Sequence, residues 1–442
     1  MNDKDLKSRI GPAIVPRSEH NISRANISSN ALKVLYRLKS AGFEAFLVGG
    51  GVRDLLLGKH PKDFDVVTNA DPDQIKSLFR NCRLIGRRFR LAHVRFGRDI
   101  VEVATFRAAA ASLDDDERAH SDSGRILRDN VYGSIDEDVW RRDFTVNALY
   151  YNIADFSIWD YVDGFEDLKA RTLRLIGDPE TRYHEDPVRM LRAVRFAAKL
   201  ELELAPEAAA PIGTLGRLLA DVPSARLFDE LLKLFHSGYA ERSFDLLVKY
   251  DLLRYLFRDT SELLETPLSE TMIQFIRRGL RNTDERIRAD KPVTPMFLYA
   301  VFLWFPIKAL AERLKQEGWH DTQAVIEASQ RIVAVQQTAF PRRFSAPMKE
   351  LLVMQWRFDQ RRGARAARLL QHKRFRAAYD FLLLRAECGE VDRELVDWWT
   401  ELQTLSPADQ QRMLGLKRRQ GRRRRGGRRS AGREREATDV VG

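Results

Sequence analysis

Two aspartates, Asp63 and Asp65, stand two positions apart in the segment KDFDVV, a spacing suited to holding a metal ion. In a β-strand, alternate residues point to the same face, so the carboxylates project side by side, with Cα atoms roughly 7 Å apart. Such like charges repel, and a cation relieves the repulsion. Mg²⁺ prefers oxygen ligands and commonly binds one or two carboxylates plus substrate phosphates. The alternative is two acids on a solvated edge, because a bare D-x-D is frequent by chance.

A glycine cluster lies upstream of this pair. Gly49, Gly50 and Gly51 separate a strand predicted over 43–48 from a short helix predicted over 52–57. Amides without side chains at such a junction approach a triphosphate closely, and a helix N-terminus favours negative charge. Arg53 is placed to pair with phosphate or with the neighbours of Asp54. A tight turn explains the glycines equally well.

One acidic residue lies downstream, in the alternating segment IVEVAT. Glu102 is a candidate third carboxylate for the metal. It is equally consistent with an ordinary outward-facing strand residue.

The segment RRDFTVNALYY (141–151) falls in a helix predicted over 137–151. On that helix Arg142, Asp143 and Asn147 share one arc. Arg142 is suited to binding phosphate, with Asp143 orienting it or the metal-bound waters. The alternative is the charged start of a helix.

The segment EDPVRMLRAVR (185–195) predicts a helix that begins at Pro187. Arg189, Arg192 and Arg195 recur every three residues on one face, and no acid lies between them, so an anionic ligand would relieve their repulsion. Asp186, three residues before Arg189, meets it on one turn. Together they offer an acceptor and donors for the edge of a base. The alternative is a helix cap with a solvated stripe.

These residues must be positioned by an α+β fold, because strands dominate the first 165 residues and the pattern after about 175 is helical. Short strands are predicted over 64–68, 83–85, 93–96, 100–105 and 157–161. A polar insertion over 108–125 is predicted to be a mobile surface loop. The predicted organisation is a flexible arm (1–28), a catalytic head with a mixed sheet (29–170), a helical neck with a nucleotide- and RNA-binding motif (171–240), an all-helical RNA-binding region (241–416) and a disordered Arg-rich tail (417–442).

Composition excludes several classes of protein. The two cysteines, Cys82 and Cys388, cannot form a disulfide framework, and no C-x-x-C segment suggests zinc. The N-terminus is charged, unlike a signal peptide. The longest apolar run, 296–305, is shorter than the roughly 20 residues that a membrane span needs. We therefore expect a soluble, cytoplasmic protein without membrane association.

In this order, the segments resemble the family of bacterial poly(A) polymerases and tRNA CCA-adding nucleotidyltransferases. The matching stretches are FLVGGGVRDLLLGKHPKDFDVVT (46–68), VEVATFR (101–107), RRDFTVNALYY (141–151), YVDGFEDLKARTLRLIG (161–177) and EDPVRMLRAVRFAAKL (185–200). The resemblance implies that Asp63 and Asp65 are the catalytic metal ligands and that Asp143 is a further catalytic residue. It implies that Gly49, Gly50 and Arg53 grip the phosphate and sugar, and that Asp186 and Arg189 recognise the base. Arg142 and Arg192 are, from the residue pattern, further candidate nucleotide-binding residues.

The implied activity is template-independent transfer of AMP from ATP to RNA 3′ ends. The implied cofactor is Mg²⁺, with Mn²⁺ as an alternative cation, and the implied partners are RNA, ATP and RNA-decay proteins. We expect a monomer. The stretch LIGRRFRLAHV (84–94) is similar to one typical of the poly(A) polymerases. The alternatives are a CCA-adding enzyme and, in another class, a non-catalytic RNA-binding protein on the same scaffold.

Basic residues point to RNA beyond the head. The formal net charge is +12, and the tail from Lys417 onward carries eleven basic and three acidic residues. We predict that it binds phosphate backbone as a salt-sensitive tether. Its candidate RNA-binding residues are Arg422, Arg423, Arg424, Arg425, Arg428 and Arg429. Two earlier segments, 361–365 and 373–376, also place arginines near aromatic residues, as a single-strand groove would. Core packing is the favoured interpretation for Phe375, Tyr379, Trp398 and Trp399.

Overall fold

The structure is a computed structural model that describes residues 11–86, 90–108 and 132–416. The chain divides into two compact units, Met1–Lys349 and Glu350–Gly442. The insertion predicted over 108–125 lies outside the described residues except for Ala108, and the tail lies outside them entirely. The domain boundaries proposed from the sequence at 170 and 240 stay predictions.

The first unit begins with a mixed sheet, confirming the predicted α+β head. Its described strands are β1 (Ala13–Val15), β2 (Ala45–Val48), β3 (Asp65–Thr68), β4 (Cys82–Ile85), β5 (Leu91–Phe96), β6 (Asp99–Thr105), β7 (Leu149–Asn152) and β8 (Ile158–Asp160). They are ordered β1-β8-β7-β2-β3-β6-β5-β4. Among these described strands, β3 and β6 form the parallel pair and the other neighbours are antiparallel.

Five helices of the first unit accompany the sheet. They are α1 (Ser29–Ser40), α2 (Gly50–Leu56), α3 (Pro72–Leu78), α4 (Ile135–Arg141) and α5 (Gly164–Lys169). Helix α3 begins with a capping box: the Asp71 carboxylate accepts from the backbone N–H of Gln74, and the Gln74 side chain accepts from the backbone N–H of Asp71. The core of the head contains Phe46, Phe106 and Tyr150, which a two-layer fold buries between sheet and helices.

The prediction of a helix over 137–151 is wrong. Helix α4 ends at Arg141, Thr145–Asn147 forms one 3₁₀ turn, and β7 follows. Strand pairing overrides the helical pattern, because β7 hydrogen-bonds β2 on one side and β8 on the other. Arg142, Asp143 and Asn147 therefore do not share a helical arc, and their arrangement depends on the non-helical chain between α4 and β7.

The prediction of a flexible arm over 1–28 is wrong for residues 11–28, which pack against the head. Strand β1 pairs with β8, extending the sheet at its edge. His20 and Ile22 are buried, and a ring nitrogen of His20 lies 2.9 Å from the Phe156 carbonyl in hydrogen-bonding geometry. Short segments without periodicity give no sequence signal of such docking, which depends on long-range partners. Residues 1–10 lie outside the described part of the chain.

Helices form the remainder of the first unit, as predicted, apart from the two-residue strands β9 (Thr172–Leu173) and β10 (Glu203–Leu204), which pair in parallel. These helices are α6 (Pro179–Glu185), α7 (Val188–Leu200), α8 (Pro206–Ala209), α9 (Ile212–Leu215), α10 (Ser224–Phe235), α11 (Ala240–Lys249), α12 (Arg258–Leu263), α13 (Ser269–Arg288), α14 (Pro295–Gln316), α15 (Asp321–Ala334) and α16 (Arg342–Gln355), whose last turns belong to the second unit. The apolar run expected to end at residue 305 continues through Pro306 within α14.

Helix α14 is, within the described residues, the one helix long and apolar enough to cross a membrane by composition. However, 67% of its most apolar window is buried inside the protein. It contacts α12, α13 and α15 and buries aromatic side chains such as Phe302 and Trp304. Those contacts make it a core helix of the first unit.

The second unit contains the helices α17 (Gly363–Leu370), α18 (Phe375–Glu387), α19 (Arg393–Thr404) and α20 (Pro407–Met413) among its described residues. Phe375, Tyr379 and Trp399 are buried, which confirms their predicted core role. Trp398 is only half-buried, so its core assignment is wrong.

Candidate active site

The first element of the site is a row of residues across four neighbouring strands. Val48 of β2 is the register partner of Asp65, which opens β3, and Asp65 is in turn the register partner of Glu102 on β6. His93 of β5 lies opposite Glu102. The sheet thus brings together residues that lie up to 54 positions apart in the sequence.

The predicted carboxylates Asp63, Asp65 and Glu102 line one cleft of about 630 Å³. Asp63 lies in the irregular segment before β3, so the prediction that both aspartates belong to one strand is wrong. Glu102 also approaches His93, with 3.3 Å between its Oε1 and the His93 Nε2, although this contact lacks hydrogen-bond geometry.

The pKa of Asp65 is raised by burial and by the neighbouring negative charges. Desolvation by the surrounding protein raises that pKa although the side chain reaches solvent, and the nearby carboxylates of Glu102 and Asp63 raise it further, while Arg142 lowers it. A cation bound here would relieve the same repulsion. Among the described residues no three or more His, Cys, Asp or Glu side chains form a preassembled metal cluster. Two carboxylates with substrate phosphates are nevertheless a common Mg²⁺ ligand set.

The glycine turn lies at the end of β2, where it enters α2. Gly49 has φ +70° and ψ −136°, a conformation that favours glycine, and a Cβ on it would lie 3.7 Å from an Arg142 Nη atom. Helix α2 starts at Gly50 rather than at residue 52, so the second and third glycines are its first two residues. The turn therefore faces the Arg142 guanidinium across a narrow gap.

Arg142 is held in place by two side chains that the sequence did not single out. Its guanidinium donates to the Asp138 carboxylate (2.9 Å from Nη2) and to the Tyr150 hydroxyl (2.8 Å from Nε). The Tyr150 hydroxyl donates to the same carboxylate. Asp138 precedes Arg142 by four positions, a spacing that could have suggested the pair.

Arg53 is buried, with 2% of its surface exposed. Its Nε and Nη2 donate to the Asp54 carboxylate, and its Nη1 donates to the side-chain oxygen of Asn147. Its hydrogen bonds therefore join α2 to the 3₁₀ turn before β7.

Asp143 is joined to Arg192 of α7. One of its carboxylate oxygens accepts from Arg192 Nε at 2.9 Å and also from Nη2, and the other accepts from the Asn147 amide and the Phe144 N–H. Burial raises the pKa of Asp143, but the charge of Arg192 and these hydrogen bonds more than offset burial and lower it. Both oxygens are thus engaged by protein donors.

Asp186 lies just before α7 and Arg189 lies in its first turn, but their side chains do not pair with each other. Arg189 donates to Glu185 at 2.7 Å, whereas Asp186 accepts from Arg226 of α10 at 2.8 Å. The side-chain pairing expected between Asp186 and Arg189 is therefore wrong for this conformation. Glu185 precedes Arg189 by four residues, a spacing from which their ion pair could have been predicted. Nothing in the sequence indicated that Asp186 would pair with Arg226.

The expected mutual repulsion of the three arginines on α7 is relieved for two of them, since Arg189 contacts Glu185 and Arg192 contacts Asp143. Arg195 is different: its Nε is buried without a hydrogen-bond partner, and its guanidinium lies 4.6 Å from the centre of the Phe196 ring. Burial and the charge of Arg192 lower the pKa of Arg195. The sequence places Arg195 on the arginine face of α7 but does not predict it as a site residue.

Three sequence families match the chain. A poly(A) polymerase head domain covers residues 45–174, a probable RNA and SrmB-binding site of polymerase A covers 201–264, and a polymerase A arginine-rich C-terminus covers 317–433. Poly(A) polymerase I of Escherichia coli O157:H7 is 51% identical over 91% of this chain and 88% of that protein. The chain belongs to the bacterial poly(A) polymerase family. The Haemophilus influenzae member is 46% identical over 91% of this chain and 90% of its own. The predicted family is thereby confirmed, and the chain is a nucleotidyltransferase of the polyadenylating kind.

CCA-adding enzymes are more distant in sequence. The enzyme of Lactobacillus helveticus is 36% identical over 69% of this chain and 70% of its own. Among solved structures, a tRNA-processing enzyme in an apo form has a TM-score of 0.59 at 22% identity and covers 86% of this chain and 98% of that one. The Thermotoga maritima CCA-adding enzyme complexed with tRNA has a TM-score of 0.54 at 19% identity. It covers 90% of this chain and 83% of that one. These structures show a shared fold.

Proposed function

We propose that this poly(A) polymerase family member transfers AMP from ATP to the 3′-hydroxyl of RNA without a template and releases pyrophosphate. The observation that carries the proposal is the alignment of Asp65 and Glu102 on parallel strands, with Asp63 in the same cleft and the glycine turn beside it. Such a site suits in-line displacement at a phosphate, where positioning and charge stabilisation dominate catalysis.

We infer that Asp63 and Asp65 hold Mg²⁺, or Mn²⁺ in its place, and that Glu102 is the third carboxylate. The fit rests on the donor set, which is hard oxygen, and on the raised pKa of Asp65 among neighbouring carboxylates. When bound, the metal would neutralise charge on the triphosphate and make the RNA 3′-hydroxyl a better nucleophile.

The surrounding residues take separate roles in this proposal. Gly49 and Gly50 leave their amides open to the triphosphate, and Arg142 supplies positive charge beside them. Since Arg53 is buried and three of its five N–H donors are used by Asp54 and Asn147, we assign Arg53 to holding the glycine turn in shape.

Asp143 is assigned a positioning role rather than a metal ligand role, because both of its oxygens accept protein hydrogen bonds. Through Arg192 it fixes α7 against the head. We assign recognition of the incoming base to Asp186 and Arg189, beside the start of α7. Binding the base would require these side chains to exchange their present partners, Arg226 and Glu185, for the base edge.

The wider setting follows from the same proposal. ATP and RNA 3′ ends are the substrates, the Arg-rich tail tethers RNA, and the enzyme acts in the cytoplasm as a monomer, with RNA-decay proteins as partners. The sequence relatives named poly(A) polymerase support ATP-only addition over CCA addition, because their identity is higher and extends over more of the chain.

The test uses a labelled RNA of generic sequence with Mg²⁺ and each nucleotide supplied singly. A long ladder with ATP alone is expected. Addition that needs CTP and stops after a few residues on tRNA ends would instead establish CCA addition, and no extension at all would establish a non-catalytic RNA-binding protein. Asp63→Ala should abolish extension and retain the fold. The matched control is Asp73→Ala on α3, whose side chain is 75% exposed and which should extend RNA normally.

A further inference from the structure

The second unit contains a cleft of about 830 Å³ that none of the roles above uses. It is lined by Asp359, Arg361, Arg362, Arg365, Glu394 and Trp398, together with Gln360. Its size falls in the range of pockets that hold small organic ligands. All of these residues belong to Glu350–Gly442, so the cleft is contained within that unit.

The charges in the cleft leave two arginines available. Arg361 donates to the Glu394 carboxylate at 2.7 Å, and that pair neutralises itself. Arg362 and Arg365 are exposed and have no ion-pair partner among the described residues. Asp359, also exposed at the rim, reduces the positive charge without cancelling it. The cleft therefore carries net positive charge, concentrated at the start of α17.

Trp398 supplies a flat apolar surface beside these arginines. Its neighbour Trp399 is fully buried against Phe358 and Phe375, and the Trp399 indole N–H donates to the Phe358 carbonyl at 2.9 Å. Trp398 packs edge-on against Trp399, with 4.9 Å between ring centres and an 82° angle between ring planes. A buried ring thus packs against a partly exposed one and restrains it, so little side-chain entropy would be lost when a ligand stacks on it.

We propose that this cleft binds single-stranded RNA, with one base stacked on Trp398 and neighbouring phosphates paired with Arg362 and Arg365. An aromatic platform next to unpaired arginines is the combination that holds unstacked nucleotides irrespective of sequence. The composition of segment 361–365 predicts RNA binding, and the partly exposed Trp398, 33 positions after Arg365, adds the aromatic surface. This inference rests on the proposed function, since it concerns the upstream part of the RNA that is extended.

The experiment measures fluorescence anisotropy of a labelled single-stranded oligo(A) with the full-length protein over a series of KCl concentrations. Trp398→Ala should raise Kd about tenfold, the effect of losing one stacked base. Trp398→Phe should retain most of the affinity. Arg362→Ala with Arg365→Ala should weaken binding and reduce the slope of log K against log salt by roughly 1.4. The controls are Trp319→Ala, a tryptophan 40% exposed in the first unit, and Arg393→Ala, an exposed arginine outside the cleft.

The outcomes separate this inference from the proposed function. Wild-type affinity in Trp398→Ala and in the double arginine variant would overturn the inference, as would an equal loss with duplex RNA, whose bases are already stacked. If Trp398→Ala lowers Tm strongly, the double arginine variant decides, because Arg362 and Arg365 are exposed and their removal leaves the packing around Trp399 intact. Extension of RNA by the wild type with ATP is scored separately: its absence would contradict the proposed function, whatever the cleft binds.

Discussion

Asp65 and Glu102 are register partners on the parallel strands β3 and β6, so their carboxylates emerge from the same row of the sheet. Parallel strands that lie side by side need a long connection between them, which here spans β4 and β5. The two acids are therefore brought together by topology. Burial is the main cause of the raised pKa of Asp65, and the nearby Glu102 carboxylate raises that pKa further.

Removing the Glu102 charge should weaken metal binding more than it damages the fold. We expect Glu102→Gln to raise the Mg²⁺ concentration that gives half-maximal extension by about tenfold, the equivalent of about 1.4 kcal/mol, with partial recovery of turnover at high Mg²⁺. Extension rate is measured against Mg²⁺ concentration. Asp99→Asn, in the same cleft, is the control and should leave the Mg²⁺ dependence unchanged. An unchanged dependence in Glu102→Gln would exclude Glu102 from the metal site.

The Asp143–Arg192 pair should make a pH-dependent contribution to stability. A carboxyl whose pKa is lower in the folded state stabilises fully above its unfolded pKa, about 3.9, and loses that contribution as pH falls through the folded value. We expect Asp143→Asn to lower the free energy of unfolding by on the order of 2 kcal/mol at neutral pH. This loss is smaller than for a fully buried ion pair, because Arg192 is 32% exposed and solvent screens the interaction.

Urea unfolding from neutral pH down to about pH 3 measures this contribution. The difference between wild type and Asp143→Asn should shrink below about pH 4. A difference that is constant across that range would contradict the assignment. Asp245→Asn is the control, because its pair with Arg277 is exposed on both sides and should contribute less than about 1 kcal/mol.

The conformation of Gly49 predicts a cost for any side chain there. Gly49→Ala should lower the free energy of unfolding by about 1–3 kcal/mol, since φ +70° with ψ −136° strains an L residue. It should also raise KM for ATP, because the new methyl group occupies the narrow gap to Arg142. Chemical denaturation and steady-state kinetics test both effects. Gly213→Ala, with open space and no positive φ, should be nearly neutral. Equal behaviour of the two variants would show that the turn tolerates a Cβ.

Tyr150 should act on catalysis through Arg142. Tyr150→Phe removes the hydroxyl that accepts from Arg142 and donates to Asp138, at a cost of about 1–2 kcal/mol for buried hydrogen bonds. We expect KM for ATP to rise with a smaller change in kcat. The control is Tyr151→Phe, whose hydroxyl has no hydrogen-bond partner among the described residues. A fall in stability without any change in KM would assign Tyr150 a purely structural role.

The sequence alone predicts the structure of some segments of this protein well and of others poorly. The strand around Glu102 has a strong local signal and was predicted well, because propensity and alternation act over a few neighbouring residues. The helix predicted over 137–151 failed because β7 is stabilised by β2 and β8, which local pattern does not show.

The sequence by itself determined the chemistry that is available: the carboxylates, the glycines, the arginines of α7 and the basic tail. Residue types and local spacing are sufficient for that. The tertiary structure alone decided which of these groups meet. It paired Asp143 with Arg192, paired Asp186 with Arg226 and left Trp398 partly exposed in one cleft with Arg362. Those contacts join residues distant in the chain, and only the packing of sheet and helices fixes such distances.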